Sequence, residues 1–125
     1  MLTTTIQVAL GGAIGAALRF LTGVGILRFV GSSFPVAILG INVLGSLLMG
    51  MFVVFAAHRG LTQLNPFVLT GLLGGFTTFS AFSLEAVSLF ERGVFGLAVL
   101  YVSLSVGLSI GGLVLGLIIA RGIWA

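Results

Sequence analysis

The sequence predicts an all-α membrane protein with four transmembrane helices. Hydrophobic residues make up 59% of the 125-residue chain, and charged residues make up only 6%. A soluble domain of this size cannot bury so much apolar surface. The apolar residues fall into four runs, each at least as long as the roughly 20 residues that cross a bilayer. We therefore expect a single four-span transmembrane domain over residues 1–125, with no extramembrane module.

Short polar or glycine-containing breaks separate the four predicted spans. The spans cover residues 5–27, 34–57, 66–90 and 94–120. The breaks between them cover residues 28–33, 58–65 and 91–93. Gly31, Ser32 and Ser33 are typical of a turn, and Asn65 followed by Pro66 is typical of a helix start. The first span has no basic segment before it and no cleavage site after it, so we interpret it as a retained helix rather than a signal peptide.

The loop arginines are balanced across the membrane. With four spans, Arg59 and Arg121 lie on one side, and Arg28 and Arg92 lie on the other. A chain without a positive-inside bias can insert in both orientations. The balance therefore predicts a dual-topology protein that assembles as an antiparallel homodimer.

Composition argues against several classes of function. The chain has no cysteine and one histidine, His58, which excludes disulfides and zinc sites of the His/Cys type. Its five arginines are scattered, so no nucleic-acid partner is expected. No nucleophile is paired with a base, and no pair of carboxylates lies within a span. We therefore predict that the protein is not an enzyme.

The third span contains a weak point in its helix, followed by a cluster of hydroxyl groups. Gly74 and Gly75 lower the helix propensity, and we expect the helix to break near this pair. Residues 74–83 read GGFTTFSAFS. Hydroxyl groups are costly in lipid unless they face protein or water. A broken helix with hydroxyl donors at mid-membrane depth predicts an ion pathway.

Polar residues in two other spans extend this pattern. Asn42 is the only amide well inside a span, and Tyr101, Ser105 and Ser109 form a stripe four residues apart on the fourth helix. Each feature alone also fits interhelical hydrogen bonding. Together with the cluster that includes Ser80 and Ser83, they favour a conduit lined by neutral donors. Such a lining, without an acidic ring, favours an anion over a cation.

Two phenylalanines share a face of the third helix with this cluster. Phe79 and Phe82 are three residues apart, so their rings lie on the same side. In a pore they could form a hydrophobic gate, or their positive ring edges could face an anion. Packing in lipid is the alternative for any phenylalanine, and the neighbouring hydroxyl groups favour a role in the pathway.

Two ionisable residues lie inside the spans. Arg19 in the first helix is expected to cost roughly 2.5–3.5 kcal/mol on insertion unless it finds acceptors. It is either an electropositive vestibule wall that attracts anions, or a structural group that caps carbonyls or forms a salt link. Glu85 in the third span is either the partner of Arg19 or a vestibule residue.

Small residues recur at the spacing of helix interfaces. Such residues let helices approach closely where no hydrophobic effect drives them together. The pairs Gly11–Gly15, Gly107–Gly111 and Gly112–Gly116 have this spacing. Asn42, Ser46 and Gly50 lie four apart on one face of the second helix. We interpret the glycines as sites of tight helix packing.

These motifs together resemble a known family, the small bacterial fluoride channels called CrcB or Fluc proteins. The segment 74–83, followed by Glu85, is similar to the signature of that family's third helix. Residues 11–16 followed by Arg19 are similar to its first-helix motif, and residues 42–46 with Gly50 are similar to its second. The resemblance covers nearly the whole chain. The third-helix motif is highly specific, and the other two are weak alone.

The resemblance implies a fluoride-selective channel that exports fluoride passively across the bacterial inner membrane. It implies an antiparallel, dual-topology homodimer with two pores and a structural sodium ion at its centre. The carbonyls of Gly74 and Thr77 would hold the sodium ion. The implied fluoride pore residues are Phe79, Phe82, Asn42, Ser80, Ser83, Tyr101, Ser105 and Ser109. Ala81 stands where the family commonly has threonine, so one hydroxyl near the phenylalanines is missing.

Two other functions fit some of the same residues. Small multidrug transporters share four spans and dual topology, but they need a carboxylate within the first helix. This first helix contains Arg19 and no acid, which argues against that class. An accessory membrane subunit without transport would not require a helix break beside clustered hydroxyl groups.

Overall fold

The protein is a bundle of long apolar helices in the computed structural model, which describes residues 1–31 and 34–124. The four candidate membrane spans, judged by length and composition, are Leu2–Val30, Val36–Arg59, Thr62–Glu91 and Phe95–Trp124. We call the first two helices α1 and α2, and the last α5. The prediction of four helices long and apolar enough to span a membrane is confirmed. Part of the predicted turn at residues 31–33, namely Ser32 and Ser33, lies outside the described residues.

The helices start and end close to the predicted positions, for local reasons. The second helix starts at Val36 rather than residue 34, with Pro35 as its N-cap. It ends where Gly60 adopts a left-handed conformation, with φ of 65°, and the Leu61 amide donates to the Ala56 carbonyl at 2.8 Å. Glycine adopts this conformation without steric cost, so it is the common residue at helix C-termini.

The third span is divided into short helical segments. A 3₁₀ turn, Thr62–Leu64, is followed by a π-helix, Pro66–Leu73, and one α-helical turn, α3, Gly74–Phe76. After Thr77 and Thr78, which are both extended, the chain continues as α4, Phe79–Glu91. Proline at the first position of the π-helix suits a helix start, because its missing N–H would have no partner there.

The predicted break is present, but it lies at Thr77 and Thr78 rather than at the glycine pair. Gly74 has helical dihedral angles, and both glycines lie within α3. The reason is packing: a Cβ atom at Gly75 would lie 2.7 Å from the Gly12 carbonyl oxygen of α1. Gly75 therefore permits close helix approach, and it does not unwind the chain.

Glycine contacts join the helices in two pairs. The π-helix is the main partner of α1, and α5 is the main partner of α2. Gly11 and Gly15 lie against the backbone of the third span, and Gly112 and Gly116 lie against the backbone of α2, as predicted. The space beside Gly107 and Gly111 is open within the chain, so their packing stays a prediction. The glycine spacing identifies helix faces made of small residues, but it does not identify which of these faces packs against another helix of the chain.

The small buried core lies between α4, α5 and the start of α2. Phe82, Leu89, Ala98 and Tyr101 form this cluster. Phe34 packs edge-on against Tyr101, with ring centroids 5.6 Å apart and planes at 84°. Most large apolar side chains elsewhere are exposed, as expected for helices that face lipid. The core therefore fixes α4 against α5, next to the break.

Candidate functional site

At the break, the backbone N–H and carbonyl of one residue form hydrogen bonds with a side chain from another helix. The Thr78 N–H donates to Asn42 Oδ1 at 2.8 Å, and Asn42 Nδ2 donates to the Thr78 carbonyl at 3.0 Å. Unpaired backbone groups at membrane depth cost several kcal/mol each. The one intramembrane amide of α2 thus pairs with both polar groups of an extended residue in the third span.

The hydroxyl groups of Thr77 and Thr78 form hydrogen bonds with the ends of the two helices that flank the break. Thr77 Oγ1 and the Thr77 N–H both donate to the Leu73 carbonyl, at 2.9 and 3.0 Å. Thr78 Oγ1 accepts from the Ala81 N–H at 3.1 Å, and it is the N-cap of α4. A threonine oxygen at this position satisfies a donor that has no partner within the helix. These bonds explain why the chain unwinds at Thr77 and Thr78.

The carbonyls of Gly74, Gly75 and Thr77, at and before the break, lose the donors that a continuous helix would give them. The Thr78 N–H, which would reach Gly74, donates to Asn42 instead. The Ala81 N–H, which would reach Thr77, donates to the Thr78 hydroxyl. The Gly75 carbonyl accepts from Arg19 Nε at 3.1 Å. The carbonyls of Gly74 and Thr77 are therefore released from the helical pattern.

A cavity of about 310 Å³ lies beside the break. It brings together predicted residues from three helices, and none of its ten lining residues is charged. The predicted residues that line it are Asn42, Thr77, Phe79, Phe82, Ser105 and Ser109. Ser46, Thr78, Val106 and Ile110 complete the wall. Ser46 and Thr78 were not among the predicted site residues, although Ser46 lies one turn after Asn42 and faces the same side.

The two cavity phenylalanines are close together but differently covered. Their ring centroids are 5.3 Å apart, with planes at 55°. Phe82 is 7% exposed and packs against Tyr101 at 5.4 Å, whereas Phe79 is 76% exposed. The cavity thus has one ring fixed in the core and one ring on the surface of this chain.

Two buried hydroxyl groups next to the cavity have no hydrogen-bond partner. Tyr101 Oη and Ser105 Oγ are buried and make no hydrogen bond within the described residues. Most buried polar side-chain atoms in proteins have a partner, so each exception needs an explanation. Each of these two hydroxyl groups can therefore still donate its hydrogen to another group. Ser105 lines the cavity, and Tyr101 lies one turn before it on α5.

Three of the predicted pore residues, Tyr101, Ser80 and Ser83, do not line the cavity. Ser83 Oγ donates to the Phe79 carbonyl at 3.0 Å, so its hydroxyl hydrogen is used within the helix. Ser80 is exposed, and its hydroxyl lies 3.2 Å from Thr78 Oγ1. Their part in a pore stays a prediction.

The two ionisable residues of the spans do not pair with each other. Arg19 is half-buried, and its Nε donates to the Gly75 carbonyl across 56 residues of sequence. This matches the alternative in which Arg19 caps a carbonyl freed elsewhere. Glu85 is half-buried on α4. The salt link between them, one of the alternatives from sequence, is not formed in the described part of the chain.

Comparison with known proteins gives one consistent family. The family model described as "CrcB-like protein, Camphor Resistance (CrcB)" matches residues 6–117. A protein of Ruegeria sp. (strain TM1040) named "Fluoride-specific ion channel FluC" is 67% identical over 124 residues, which cover 98% of each chain. Proteins of the same name from Roseobacter denitrificans and Cereibacter sphaeroides are 66% and 57% identical, over 95% and 98% of this chain and 96% and 98% of their own.

Proposed function

The chain belongs to the CrcB family, and on that premise we propose that it is a fluoride-selective ion channel, not an enzyme. The observation that carries the proposal is the cavity beside the break. It combines a pair of phenylalanine rings with donor groups that have no partner in the described part of this chain. The name shared by the relatives supports fluoride as the ion.

The cavity has the groups that a small anion needs when it loses water. Ser105 in the cavity wall, and Tyr101 one turn before it on α5, have free hydroxyl donors within the described residues. Asn42 uses one of its two amide hydrogens on Thr78. The edges of the Phe79 and Phe82 rings are positive and can also face an anion. Because no lining residue is charged, the ion meets donors without being held by a full positive charge. Binding of this kind permits both entry and exit.

We further propose an antiparallel, dual-topology homodimer with two pores. Phe79, Ser80 and Gly74 are exposed around the break, although they lie at the depth of the bilayer core by sequence. A polar helix break is tolerated in a membrane only where protein or water covers it. A second copy of the chain in the opposite orientation would cover this face. The balance of loop arginines supports this arrangement.

A sodium ion at the centre of that dimer is part of the proposal. The released carbonyls of Gly74 and Thr77 suit it, because they are the hard oxygen ligands expected at unwound helices. The ion would supply positive charge where carbonyl dipoles meet. If other cations replace sodium with no effect on assembly or flux, this part of the proposal fails.

In the cell we place the protein in the bacterial inner membrane, as a multi-pass protein. Fluoride enters cells as the neutral acid and then ionises in the cytoplasm. A passive path for the anion would let it leave down its own gradient. The partners of this protein are accordingly fluoride, the lipid bilayer and a second copy of the chain.

The test is fluoride efflux from proteoliposomes that contain potassium fluoride. Valinomycin starts the efflux by releasing potassium, and a fluoride electrode follows it. A matched experiment with potassium chloride measures selectivity. We expect fast fluoride efflux without chloride efflux. Absence of fluoride efflux from well-folded protein would contradict the channel and favour an accessory subunit.

Cells give a second test that separates the channel from the accessory subunit. In a host made sensitive to fluoride, expression of the wild-type chain is expected to restore growth. Phe82→Ile removes a ring that lines the cavity. Growth in fluoride should then be abolished, provided that the variant is present in the membrane at the wild-type level. Equal tolerance in the two strains would count against a channel.

A further inference from the structure

The bond from Arg19 to the third span has a consequence beyond the site itself. Arg19 Nε donates to the Gly75 carbonyl, in the turn that precedes the break. We propose that Arg19 is a positioning residue, which fixes the break through this carbonyl rather than attracting anions with its charge. The proposal rests on the proposed channel function for its effect on flux, but the hydrogen bond itself does not depend on that function.

The neighbouring backbone leaves this carbonyl little freedom. A Cβ atom at Gly75 would lie 3.0 Å from Gly12 Cα and 3.3 Å from the Ala16 amide nitrogen. At Gly15, a Cβ atom would lie 2.9 Å from the Phe76 amide nitrogen. The backbones of α1 and α3 are therefore in direct contact on both sides of the Gly75 peptide. Arg19 is one turn after Gly15 on α1, and its side chain extends this contact to the Gly75 carbonyl.

The break is thus held from two directions by two helices. Arg19 of α1 bonds to Gly75, before the break, and Asn42 of α2 bonds to Thr78, the second residue of the break. Thr77 lies between these two bonds. The Gly75 carbonyl is occupied by Arg19, whereas the carbonyls of Gly74 and Thr77 are released from the helical pattern. Arg19 therefore removes one carbonyl from those that a cation could use, in addition to fixing where it lies.

The bond uses Nε, and this distinguishes the two possible roles of Arg19. Glutamine at this position has no charge, but its Nε2 stands at the same place along the side chain as arginine Nε and can donate to the same carbonyl. Methionine removes both the charge and the donor. If Arg19 acts as an electropositive wall, Arg19→Gln and Arg19→Met should fail alike. If Arg19 positions the break, Arg19→Gln should stay close to wild type and Arg19→Met should fail. Arg28→Gln is the matched control, because Arg28 is exposed at the end of the same helix.

The experiment compares hydrogen–deuterium exchange and fluoride efflux in the wild-type protein and these three variants. In a peptide that covers residues 74–83, we expect exchange to rise about tenfold in Arg19→Met, as for the removal of one hydrogen bond to a charged group, and to stay close to wild type in Arg19→Gln. Arg28→Gln should exchange like wild type. In the efflux assay, the sodium concentration for half-maximal flux should rise about tenfold in Arg19→Met and stay close to wild type in Arg19→Gln. Unchanged melting temperatures would show that the effect is local.

The possible outcomes separate the two proposals. Wild-type exchange in Arg19→Met, or exchange in Arg19→Gln as fast as in Arg19→Met, would overturn the positioning role. Faster exchange in Arg19→Met alone, with no fluoride efflux from the wild-type protein, would support the positioning role and contradict the channel.

A direct observation decides the matter if both Arg19 variants misfold. The measurement is then a crystal structure of the wild-type protein in lipid. Arg19 Nε within hydrogen-bonding distance of the Gly75 carbonyl would support the positioning role. A guanidinium group that faces the vestibule, with no bond to the third span, would overturn it.

Discussion

The two halves of the third span are held in place by different kinds of contact. The first half, Pro66–Leu73 with Gly74–Phe76, lies backbone to backbone against α1 at its glycines. The second half, Phe79–Glu91, packs through side chains on α5 and contributes to the cavity. Changes in the first half should therefore act on folding, because added atoms have no space. Changes in the second half should act on transport, because its described neighbours include donors without partners.

The largest expected effect is on the backbone contact of the first half. A Cβ atom at Gly15 would overlap the Leu72 carbonyl oxygen, so Gly15→Val must displace one helix from the other. We expect a destabilisation of about 3 kcal/mol or more, the upper range for overpacked sites. Gly25→Val is the control, because the space beside Gly25 is open and it lies on the same helix. The measurement is the yield of monodisperse protein and its melting temperature. Equal values for both variants would contradict the tight contact.

The next effect concerns the residue that joins the break to α2. Asn42→Asp removes the donor to the Thr78 carbonyl and places a negative charge beside the cavity. We expect fluoride efflux to fall by roughly ten- to a hundredfold, since an unpaired buried group costs about 1–3 kcal/mol. The same change at Asn65, outside the cavity lining, should leave efflux unchanged. Wild-type efflux from Asn42→Asp would remove Asn42 from the pathway.

The smallest expected effect is at Ser105 of α5, beside the second half, where stability and fluoride efflux should change in different directions. Ser105→Ala removes a buried hydroxyl that has no partner among the described residues, so the melting temperature should stay the same or rise. Fluoride efflux should nevertheless fall severalfold, because the cavity wall then has one donor fewer. Ser103→Ala, at an exposed position of the same helix, should change neither quantity. A variant that is less stable but equally active would show that Ser105 is a packing residue.

The sequence was sufficient for the spans and for most of the cavity lining. Hydropathy marks four helices, and the three-residue spacing of Phe79 and Phe82 places them on one face. The four-residue spacing of Ser105 and Ser109 likewise places both hydroxyls at the cavity. These predictions succeed because helical periodicity fixes which residues share a face.

Contacts between distant segments could not be predicted in the same way. The break was expected at Gly74 and Gly75, yet Gly75 serves close packing against α1. Arg19 bonds to Gly75, which lies 56 residues later in the chain. No rule of sequence spacing could identify Gly75, rather than Glu85, as the partner of Arg19. Local hydrogen bonds were not predictable either: Ser83 donates to the carbonyl four residues earlier, and the sequence does not show which acceptor a helical serine finds. The part of Ser83 in a pore stays a prediction.

The most direct test of the account is fluoride efflux from proteoliposomes that contain Phe79→Ile, beside wild type. Phe79 lines the cavity but is 76% exposed in this chain, so its replacement should cost the fold of the chain little. We expect the variant to elute from size exclusion like wild type and its fluoride efflux to fall to the rate of protein-free vesicles. Efflux at the wild-type rate from such well-folded protein would contradict a fluoride path along the second half of the third span.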